Sequence, residues 1–248
     1  MAPPRLTLDG LRKAYGDLPV LDGVSLTVGR GEFVAVVGPS GCGKSTLFDV
    51  VAGLEPPDGG RVLVDDVDVT GRTDAFAYMP QQDLLFPWRT VLDNTTLGLE
   101  VAGVRRRAAR ERARPLFAEF GLAGFEGARP GELSGGMRQR AALLRTVVQE
   151  RPVLLLDEPF GALDALTRAD MQLWLSTVRA RFDWTVVLVT HDIREALFLA
   201  DRVVVLDPRP TSVRREVAVD LPRPRDLSTI THPAFAVAEA ELLGSLVR

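Results

Sequence analysis

Residues 33–46, FVAVVGPSGCGKST, place an apolar segment directly before a glycine-rich turn and a helical run that begins at Lys44. The apolar segment Phe33–Val37 predicts a buried strand, and the turn fits the spacing of a phosphate loop, G-x-x-x-x-G-K-[ST]. The turn needs glycines, because a side chain would obstruct the backbone amides that converge on phosphate oxygens. The stretch therefore predicts an α/β fold with a phosphate-binding loop after this strand.

The loop residues are the first candidate nucleotide ligands. We expect Lys44 to reach the β and γ phosphates and the Ser45 hydroxyl to ligate Mg²⁺. Cys42 fills a variable position of the pattern, and no chemistry is assigned to its thiol. The residues expected to surround the phosphates are Gly38, Pro39, Ser40, Gly41, Cys42, Gly43, Lys44, Ser45 and Thr46.

A second stretch, PVLLLDEPFGALD at residues 152–164, places two carboxylates after another apolar run. This pattern predicts a buried parallel strand whose C-terminal end faces the ligand. We expect Asp157 to hold Mg²⁺, directly or through water, and Glu158 to orient the attacking water or accept its proton. Taken alone, the stretch also fits a strand that ends in a polar turn.

The neighbouring residues indicate hydrolysis of a nucleotide other than GTP. A glutamate directly after the metal-binding aspartate favours transfer of the phosphoryl group to water over transfer to a small metabolite. The only asparagine, Asn94, is followed by Thr-Thr-Leu, so the Asn-Lys-Asp element with which GTPases recognise guanine is absent. Guanine is therefore not the expected base.

The composition argues against several other classes of protein. The chain has 248 residues, 46% of them hydrophobic, which is enough for a large folded domain. Its apolar runs are far shorter than the ~18–20 residues of a membrane-spanning helix. One cysteine and two histidines argue against a disulfide and a zinc site, and the net charge of -3 argues against nucleic-acid binding. The N-terminal segment lacks a signal-peptide pattern, so we expect the chain in the reducing cytosol.

A second element suited to phosphate is LSGGMRQR, residues 133–140. Ser134 can cap a helix, and Gly135 and Gly136 leave backbone amides uncovered at a helix N-terminus, where the dipole favours an anion. These residues alone would more often be an ordinary helix cap in a flexible turn. The chain thus contains two helix starts suited to phosphate.

Together, LSGG, GPSGCGKST, LLLDEPFGALD and VTHD resemble the ATP-binding subunits of ABC (ATP-binding cassette) transporters, over residues 5 to about 220. The resemblance implies an α/β phosphate-loop ATPase core, a mixed sheet flanked by helices, with an antiparallel β subdomain and an inserted helical subdomain. The implied units are an ATP-binding domain at 1–220, containing the helical subdomain at 84–150, and a C-terminal helical tail at 221–248.

In that family two cassettes pair head to tail around ATP. The resemblance implies that Ser134, Gly135 and Gly136 contact the nucleotide held by the phosphate loop of a second copy, in a homodimer that forms with ATP. Asp164 would belong to a loop along the dimer interface. The implied cofactors are ATP and Mg²⁺, and nucleic acid is not an expected partner.

Further site residues follow from the same resemblance. Tyr15 would stack on adenine, and the alternative is ordinary packing near a strand end. Gln81 would contact Mg²⁺ and the attacking water, with Gln82 as a one-residue alternative. His191 would bond the γ-phosphate and hold the water of Glu158 in place, and the alternative is a histidine that merely begins a helix.

The stretch LLFPW, residues 84–88, suggests how the chain meets a membrane partner. Cassettes of this family receive a short helix of the membrane subunit at this place, and dense aromatic and apolar residues often mark a docking groove. Packing inside the helical subdomain is the alternative. We expect transmembrane permease subunits as direct partners and a solute-binding protein as an indirect one.

The resemblance is to the branch that imports nitrate, sulfonates or taurine, and also thiamine pyrimidine precursors. It places the chain at the cytoplasmic face of the cell membrane as a peripheral protein. The alternative function is that of a soluble ABC ATPase without a transport role. Such proteins usually carry two cassettes or a long coiled-coil insert, and this chain has neither.

Three remaining segments carry structural expectations. Residues 61–69, RVLVDDVDV, predict a strand. The basic run at 104–115, VRRRAARERARP, predicts a solvated helix face, with contact to anionic lipid headgroups as the alternative. Residues 235–247 have a helical pattern, which we expect to pack on the domain that precedes it.

Overall fold

The computed structural model describes residues 3–179 and 181–246. The strands are β1 (Leu6–Tyr15), β2 (Leu18–Val28), β3 (Phe33–Val37), β4 (Gly59–Val64), β5 (Val67–Asp68), β6 (Ala77–Met79), β7 (Val153–Asp157), β8 (Thr185–Val189), β9 (Arg202–Leu206) and β10 (Val213–Ala218). The helices are α1 (Lys44–Val51), α2 (Val91–Thr95), α3 (Leu97–Val101), α4 (Arg106–Glu119), α5 (Gly135–Val147), α6 (Ala165–Arg179), α7 (Ile193–Leu199) and α8 (Pro233–Leu246). Short 3₁₀ turns occupy Pro130–Glu132 and Leu227–Thr231.

Six strands form a mixed sheet in the order β10-β9-β3-β8-β7-β6. Neighbouring strands are parallel, except that β10 is antiparallel to β9. The central strands β3, β7 and β8 are buried along their whole length, as their uninterrupted apolar sequences predict for strands covered on both faces. Because these three are parallel, the loops that follow them meet at one edge of the sheet.

The second sheet is antiparallel, in the order β2-β1-β4-β5. The prediction of a single strand over residues 61–69 is wrong, because the chain turns back between β4 and β5. Asp65 and Asp66 form this turn at φ values of 48° and 63°. Two consecutive residues at positive φ match the tight hairpin turn that aspartate tolerates. The predicted fold class, with its mixed sheet, antiparallel subdomain and helical insert, is confirmed.

The mixed sheet separates two hydrophobic cores. Alternate residues of β3 point to opposite faces, so Phe33 lies in one core and Val34 in the other. The first core also contains buried residues of α2, α4 and α5. The second contains Leu47 and Phe48 of α1 together with the antiparallel sheet. Each fully buried large side chain contributes about 1.5–3 kcal/mol of transfer free energy. Burial in the two cores therefore stabilises the mixed sheet from both faces.

Residues 84–150 are helical, with α2 to α5 and no strand in this fully described range. The basic run forms the start of α4, whose Ala109, Ala113 and Phe117 are buried against the core. Arg106 and Arg110 both donate to the carboxylate of Asp93 in α2. The other arginines of this run are exposed, as expected of a solvated helix face.

The C-terminal segment packs on the rest of the chain. Phe235 and Leu242 of α8 are buried in the same core as the helical region. Arg225, which is 3% exposed, donates to the carbonyl oxygens of Leu197 and Ala200 at the end of α7. The outermost residues of the implied units, 1–2 and 247–248, lie outside the described residues. No helix in the part of the chain that the structure describes is long and apolar enough to span a membrane.

Candidate nucleotide-binding site

The phosphate loop between β3 and α1 requires its glycines for steric reasons. Gly43, which precedes α1, has a φ of 118°, a conformation that L side chains rarely adopt. A Cβ atom added there would lie 2.8 Å from a methyl carbon of Val20. A Cβ atom on Gly38 would lie 3.0 Å from the sulfur of Cys42. A side chain at Gly43 would therefore be strained, and a side chain at Gly38 would require Cys42 to shift.

The Lys44 side chain lies within this loop. It is 8% exposed, and its Nζ donates to the carbonyl oxygens of Gly38 and Pro39 at 2.9 and 3.0 Å. The charge of Lys44 acts on the nearby Asp157 carboxylate, but its hydrogen bonds go to neutral carbonyl oxygens, so none of them brings it a negative charge. Phosphate oxygens would supply that charge, so the loop fits an anionic ligand.

Two residues far along the chain also hold the loop, and the sequence analysis missed them. The hydroxyl of Thr211, which is fully buried, donates to the carbonyl oxygen of Cys42. The guanidinium of Arg209 donates to the carbonyl oxygen of Gly41. Both residues stand in a loop after β9, and no local pattern in the sequence marks them.

Asp157 ends β7 at the same edge of the sheet. Burial, followed by the neighbouring charge of Glu158, raises the pKa of Asp157 to about 6. The phenol of Tyr78 donates to its carboxylate at 3.4 Å, and burial raises the Tyr78 pKa so that the phenol stays protonated. A divalent cation would stabilise this crowded negative charge. The hydroxyl of Ser45, the Asp157 carboxylate and the Gln81 amide are oxygen donors of the kind that Mg²⁺ prefers, so the residues present fit the ion.

Glu158 lies beside Gln81 and His191, the other two predicted catalytic residues. The Nε2 atom of Gln81 donates to its Oε2 atom at 3.2 Å, and the Nδ1 atom of His191 lies 3.2 Å from the same oxygen. The structure therefore puts the Gln81 amide, and not that of Gln82, in hydrogen-bond contact with Glu158. Glu158 has a φ of 42°, and its N–H donates to the carbonyl of Val189 in β8. Such backbone strain is typical of functional sites.

The Ser134 element forms the start of α5. Ser134 is exposed, and its hydroxyl accepts from the backbone N–H of Met137 at 3.3 Å, the geometry of a helix N-cap. A Cβ atom on Gly136 would lie 2.9 Å from a methyl group of Thr167 in α6. The Asp164 carboxylate caps α6 by accepting from the Thr167 backbone and hydroxyl. The Ser134 element and the Asp164 loop are therefore neighbours.

The two phosphate-type helix starts lie in different parts of the molecule. Helix α5 packs against α2, α6 and β6, whereas α1 packs against β2 and β7. The buried residues of α5 belong to one hydrophobic core and those of α1 to the other. The fold brings Asp157, Glu158, Gln81 and His191 to the edge of the sheet where the phosphate loop stands, but it packs Ser134 elsewhere.

Tyr15 stands at the end of β1 with 47% of its surface exposed. The Nζ atom of Lys13 lies 5.4 Å from the centre of its ring. The ring is therefore not part of a packed core, and its face is available to another planar group.

The LLFPW segment is partly buried and partly exposed. Leu85 is buried, while Leu84 and Trp88 are 56% and 70% exposed. A groove of about 740 Å³ lies beside it, lined also by Val101 of α3. Arg145 of α5 donates to the carbonyl oxygens of residues 83 and 84, which fixes the segment that follows Gln81. The role of this arginine was not foreseen from the sequence.

Comparisons with known proteins agree with this geometry. Residues 21–161 match the protein family described as "ABC transporter". The chain is 43% identical over 248 residues to the aliphatic sulfonates import ATP-binding protein SsuB 2 of Burkholderia cenocepacia, covering 100% of this chain and 89% of that protein. It is 46% identical over 236 residues to SsuB of Ralstonia nicotianae, covering 95% and 79%. A solved dimer of an ATP-binding cassette with bound ADP and Pi is similar with a TM-score of 0.73 and 30% identity, covering 86% of this chain and 98% of that one.

Proposed function

The chain belongs to the ABC transporter family and is one of its ATPases, and from this premise we propose that it energises the import of an organic sulfonate. The single observation that carries the hydrolytic part is the contact of Gln81 and His191 with one oxygen of Glu158. The two relatives named for aliphatic sulfonate import, at 43% and 46% identity, support the class of solute.

In this proposal, some residues of the chain bind the phosphates and others orient and deprotonate the attacking water. The phosphate loop and Lys44 bind the β and γ phosphates. Ser45, Asp157 and Gln81 would hold Mg²⁺, which would supply positive charge against the phosphate oxygens. Glu158 accepts a proton from the attacking water, which Gln81 and His191 orient. Because Glu158 sits at the end of a buried strand with a strained backbone, its carboxylate is held in place before the nucleotide arrives.

A second copy completes the site. The exposed start of α5, with Ser134 and the amides of Gly135 and Gly136, faces the γ-phosphate bound by the other chain, and Asp164 lies along the interface. The packing of α1 and α5 into different hydrophobic cores supports this arrangement. Tyr15 stacks on the adenine, which its exposed ring permits.

The membrane partner binds in the groove beside the LLFPW segment. Its walls include Leu84 and Val101, which are 56% and 81% exposed and therefore available for a helix of the permease. The groove is connected to the catalytic residues, since Arg145 holds residues 83 and 84, next to Gln81. The chain then works at the cytoplasmic face of the membrane, with permease subunits as direct partners and a solute-binding protein as an indirect one.

Growth on a single sulfur source tests this function. A strain that lacks the chain should fail to grow on an aliphatic sulfonate but should grow on sulfate. The wild-type chain should restore growth, and Glu158→Gln should not, because it keeps nucleotide binding and loses turnover by about 10²-fold or more. Equal growth of the deleted strain on both sources would contradict sulfonate import, and a growth defect on nitrate as the nitrogen source instead would reassign the solute.

A matched pair of variants tests the groove. Val101→Asp should lose sulfonate-dependent growth while the purified chain keeps its basal ATPase rate, because a charge blocks an apolar contact with the permease. Val237→Asp on α8 is the control, since Val237 is 68% exposed and lies outside the groove. A full growth rate with Val101→Asp would mean that the permease does not bind in this groove.

A further inference from the structure

A small cavity lies directly behind the catalytic residues. Its walls include Glu158 and His191 on one side and Arg168 of α6 and Glu195 of α7 on the other. Its volume is about 10 Å³, close to the minimum that holds one water molecule. Neither Arg168 nor Glu195 has a part in the mechanism described above.

Both residues place an unpaired polar atom beside this cavity. The Nε atom of Arg168 and the Oε1 atom of Glu195 are buried without a hydrogen-bond partner in the described residues. Glu195 itself is only 4% exposed. Leaving a buried donor or acceptor unsatisfied costs about 1–3 kcal/mol, so two such atoms around one cavity call for a shared partner. One is a donor and the other an acceptor, which a single water molecule can join.

Each of the two residues is anchored to a different loop of the site. The Nη2 atom of Arg168 donates to the carbonyl of Leu163 at 3.0 Å, and its backbone N–H donates to the carbonyl of Asp164 at 2.9 Å. Arg168 therefore holds the loop that carries Asp164. Glu195 stands one helical turn after His191, and its backbone N–H donates to the Asp192 carboxylate, which caps α7.

A direct hydrogen bond already connects the same two helices. The Nε2 atom of Gln172, one turn after Arg168 in α6, donates to the Oε2 atom of Glu195 at 3.2 Å. Burial raises the pKa of Glu195 to about 8, and the charge of Asp192 adds to this, while Thr190, Gln172 and Arg168 lower it. The group is therefore mostly neutral near pH 7, so an amide is a close substitute for it.

We propose that Arg168 and Glu195 are positioning residues, joined through one water molecule in this cavity, which hold the Asp164 loop and His191 in a fixed relation to Glu158. The inference rests on the proposed role of Glu158 and His191 and adds a connection between them and the dimer-facing loop. Breaking the connection leaves nucleotide binding intact, because neither residue belongs to the phosphate loop. It lowers turnover, because His191 no longer holds one orientation toward Glu158.

The ATPase test uses the full chain with Glu195→Gln, Glu195→Met and Arg168→Met. Glu195→Met should lower kcat about tenfold with KM for Mg-ATP within about twofold of wild type, because only a positioning function is lost. Glu195→Gln should retain kcat within about threefold, since its amide oxygen can still accept from the water. The double methionine variant should lose no more than the worse single variant, because both changes break one link.

The control variant is Glu239→Met. Glu239 of α8 forms an ion pair with Arg194 of α7, so this change removes a carboxylate that contacts the helix of Glu195 but lies outside the cavity. Its kcat should equal that of wild type. A thermal unfolding measurement on each variant separates loss of folding from loss of turnover, and Glu195→Gln keeps the test decisive if Glu195→Met does not fold. Loss of hydrolysis in Glu158→Gln tests the proposed function separately.

A high-resolution crystal structure provides a readout that does not depend on activity. One water molecule should lie about 2.7–3.2 Å from both Arg168 Nε and Glu195 Oε1. A dry cavity would overturn the proposal. So would equal kcat losses in Glu195→Gln and Glu195→Met, a rise in KM that accounts for the loss, or multiplicative losses in the double variant.

Discussion

Two helices of this protein begin at glycine-flanked turns suited to phosphate, and the surroundings of these two starts differ. The start of α1 is enclosed: Lys44 is 8% exposed, and Val20 and Thr211 stand against Gly43. The start of α5 is open: Ser134 is exposed, and its only described side-chain contact is the cap on Met137. The first is complete within one chain, whereas the second presents its donors outward.

This difference indicates which chain would supply each part of a nucleotide site that two chains share. An enclosed element can bind its ligand in an isolated chain, because neighbouring residues have already fixed its amides and its charge. An open helix start is weak alone, since solvent screens its dipole. It becomes effective only when a second surface excludes water from the phosphate. The three predictions that follow test this division, from the largest effect to the smallest.

The first prediction separates the two starts by nucleotide binding. Lys44→Ala should weaken binding of Mg-ATP to the isolated chain about 10-fold or more, because it removes the buried charge that meets the β and γ phosphates. Ser134→Arg should leave this binding unchanged. Each variant alone should hydrolyse ATP about 10²-fold more slowly than wild type. Equilibrium binding and steady-state ATPase measurements check both statements.

Mixing the two variants sharpens this result. A heterodimer joins the intact loop of the Ser134→Arg chain to the intact α5 start of the Lys44→Ala chain, which rebuilds one whole site. Activity should therefore rise in proportion to the heterodimer fraction. A flat mixing curve, with heterodimers shown to form, would mean that the two starts do not share a nucleotide between chains.

The second prediction compares glycines by stability. Gly43→Ala should destabilise the chain by about 2–3 kcal/mol, because the residue has a φ of 118° and its Cβ would meet Val20 at 2.8 Å. Gly135→Ala should change stability by about 0.5 kcal/mol or less, or raise it, since its Cβ meets Leu163 at an ordinary 3.5 Å and alanine favours helices. Denaturant unfolding measures both, and a large loss in Gly135→Ala would show that the α5 start is also constrained.

The third prediction compares the hydroxyl groups at the two starts. Thr211→Val should cost about 1–2 kcal/mol, because it leaves the buried carbonyl oxygen of Cys42 without its donor. Ser134→Ala should cost about 0.5 kcal/mol, since this cap is exposed and its hydrogen bond is long at 3.3 Å. Urea unfolding curves give both values. A larger stability loss in Ser134→Ala than in Thr211→Val would mean that the start of α5 is the more rigid of the two.

Local patterns predicted the buried strands and the phosphate loop, whereas the resemblance to ABC cassettes implied the rest of the fold and the roles of Gln81 and His191. The apolar segments at 33–37, 153–157 and 185–189 can be buried only as central parallel strands, and the polar residues after them must share one edge. The spacing of the phosphate loop then identified Lys44 and its neighbours. The residue roles stay predictions until variants are measured, although the structure puts Gln81, Glu158 and His191 together.

The missed residues have long-range partners. Thr211 and Arg209 meet the phosphate loop from about 168 residues away, and Arg168 and Glu195 line one cavity only because α6 and α7 pack together. The hairpin turn at Asp65 and Asp66 was missed for another reason. Two aspartates form the turn inside an otherwise strand-like run, and the glycine that usually marks such a turn is absent there. Such contacts depend on tertiary packing between residues that are far apart in the sequence. No local sequence pattern therefore marks them.

The capping of α7 by Arg225 bears on the order in which the chain matures during translation. His191 lies directly before α7, and the carbonyl oxygens at the far end of that helix receive their donors from Arg225, a residue made much later. On the ribosome, the phosphate loop emerges first, but β3 pairs with β8 and β9, and Arg209 and Thr211 donate to the loop, so it also depends on segments that are made later. The helix behind His191 has to wait with unsatisfied carbonyls until Arg225 leaves the exit tunnel. The phosphate loop and the helix that follows His191 thus both depend on residues from 202 onward, so the competence of the chain to hydrolyse ATP is among the last properties that synthesis confers.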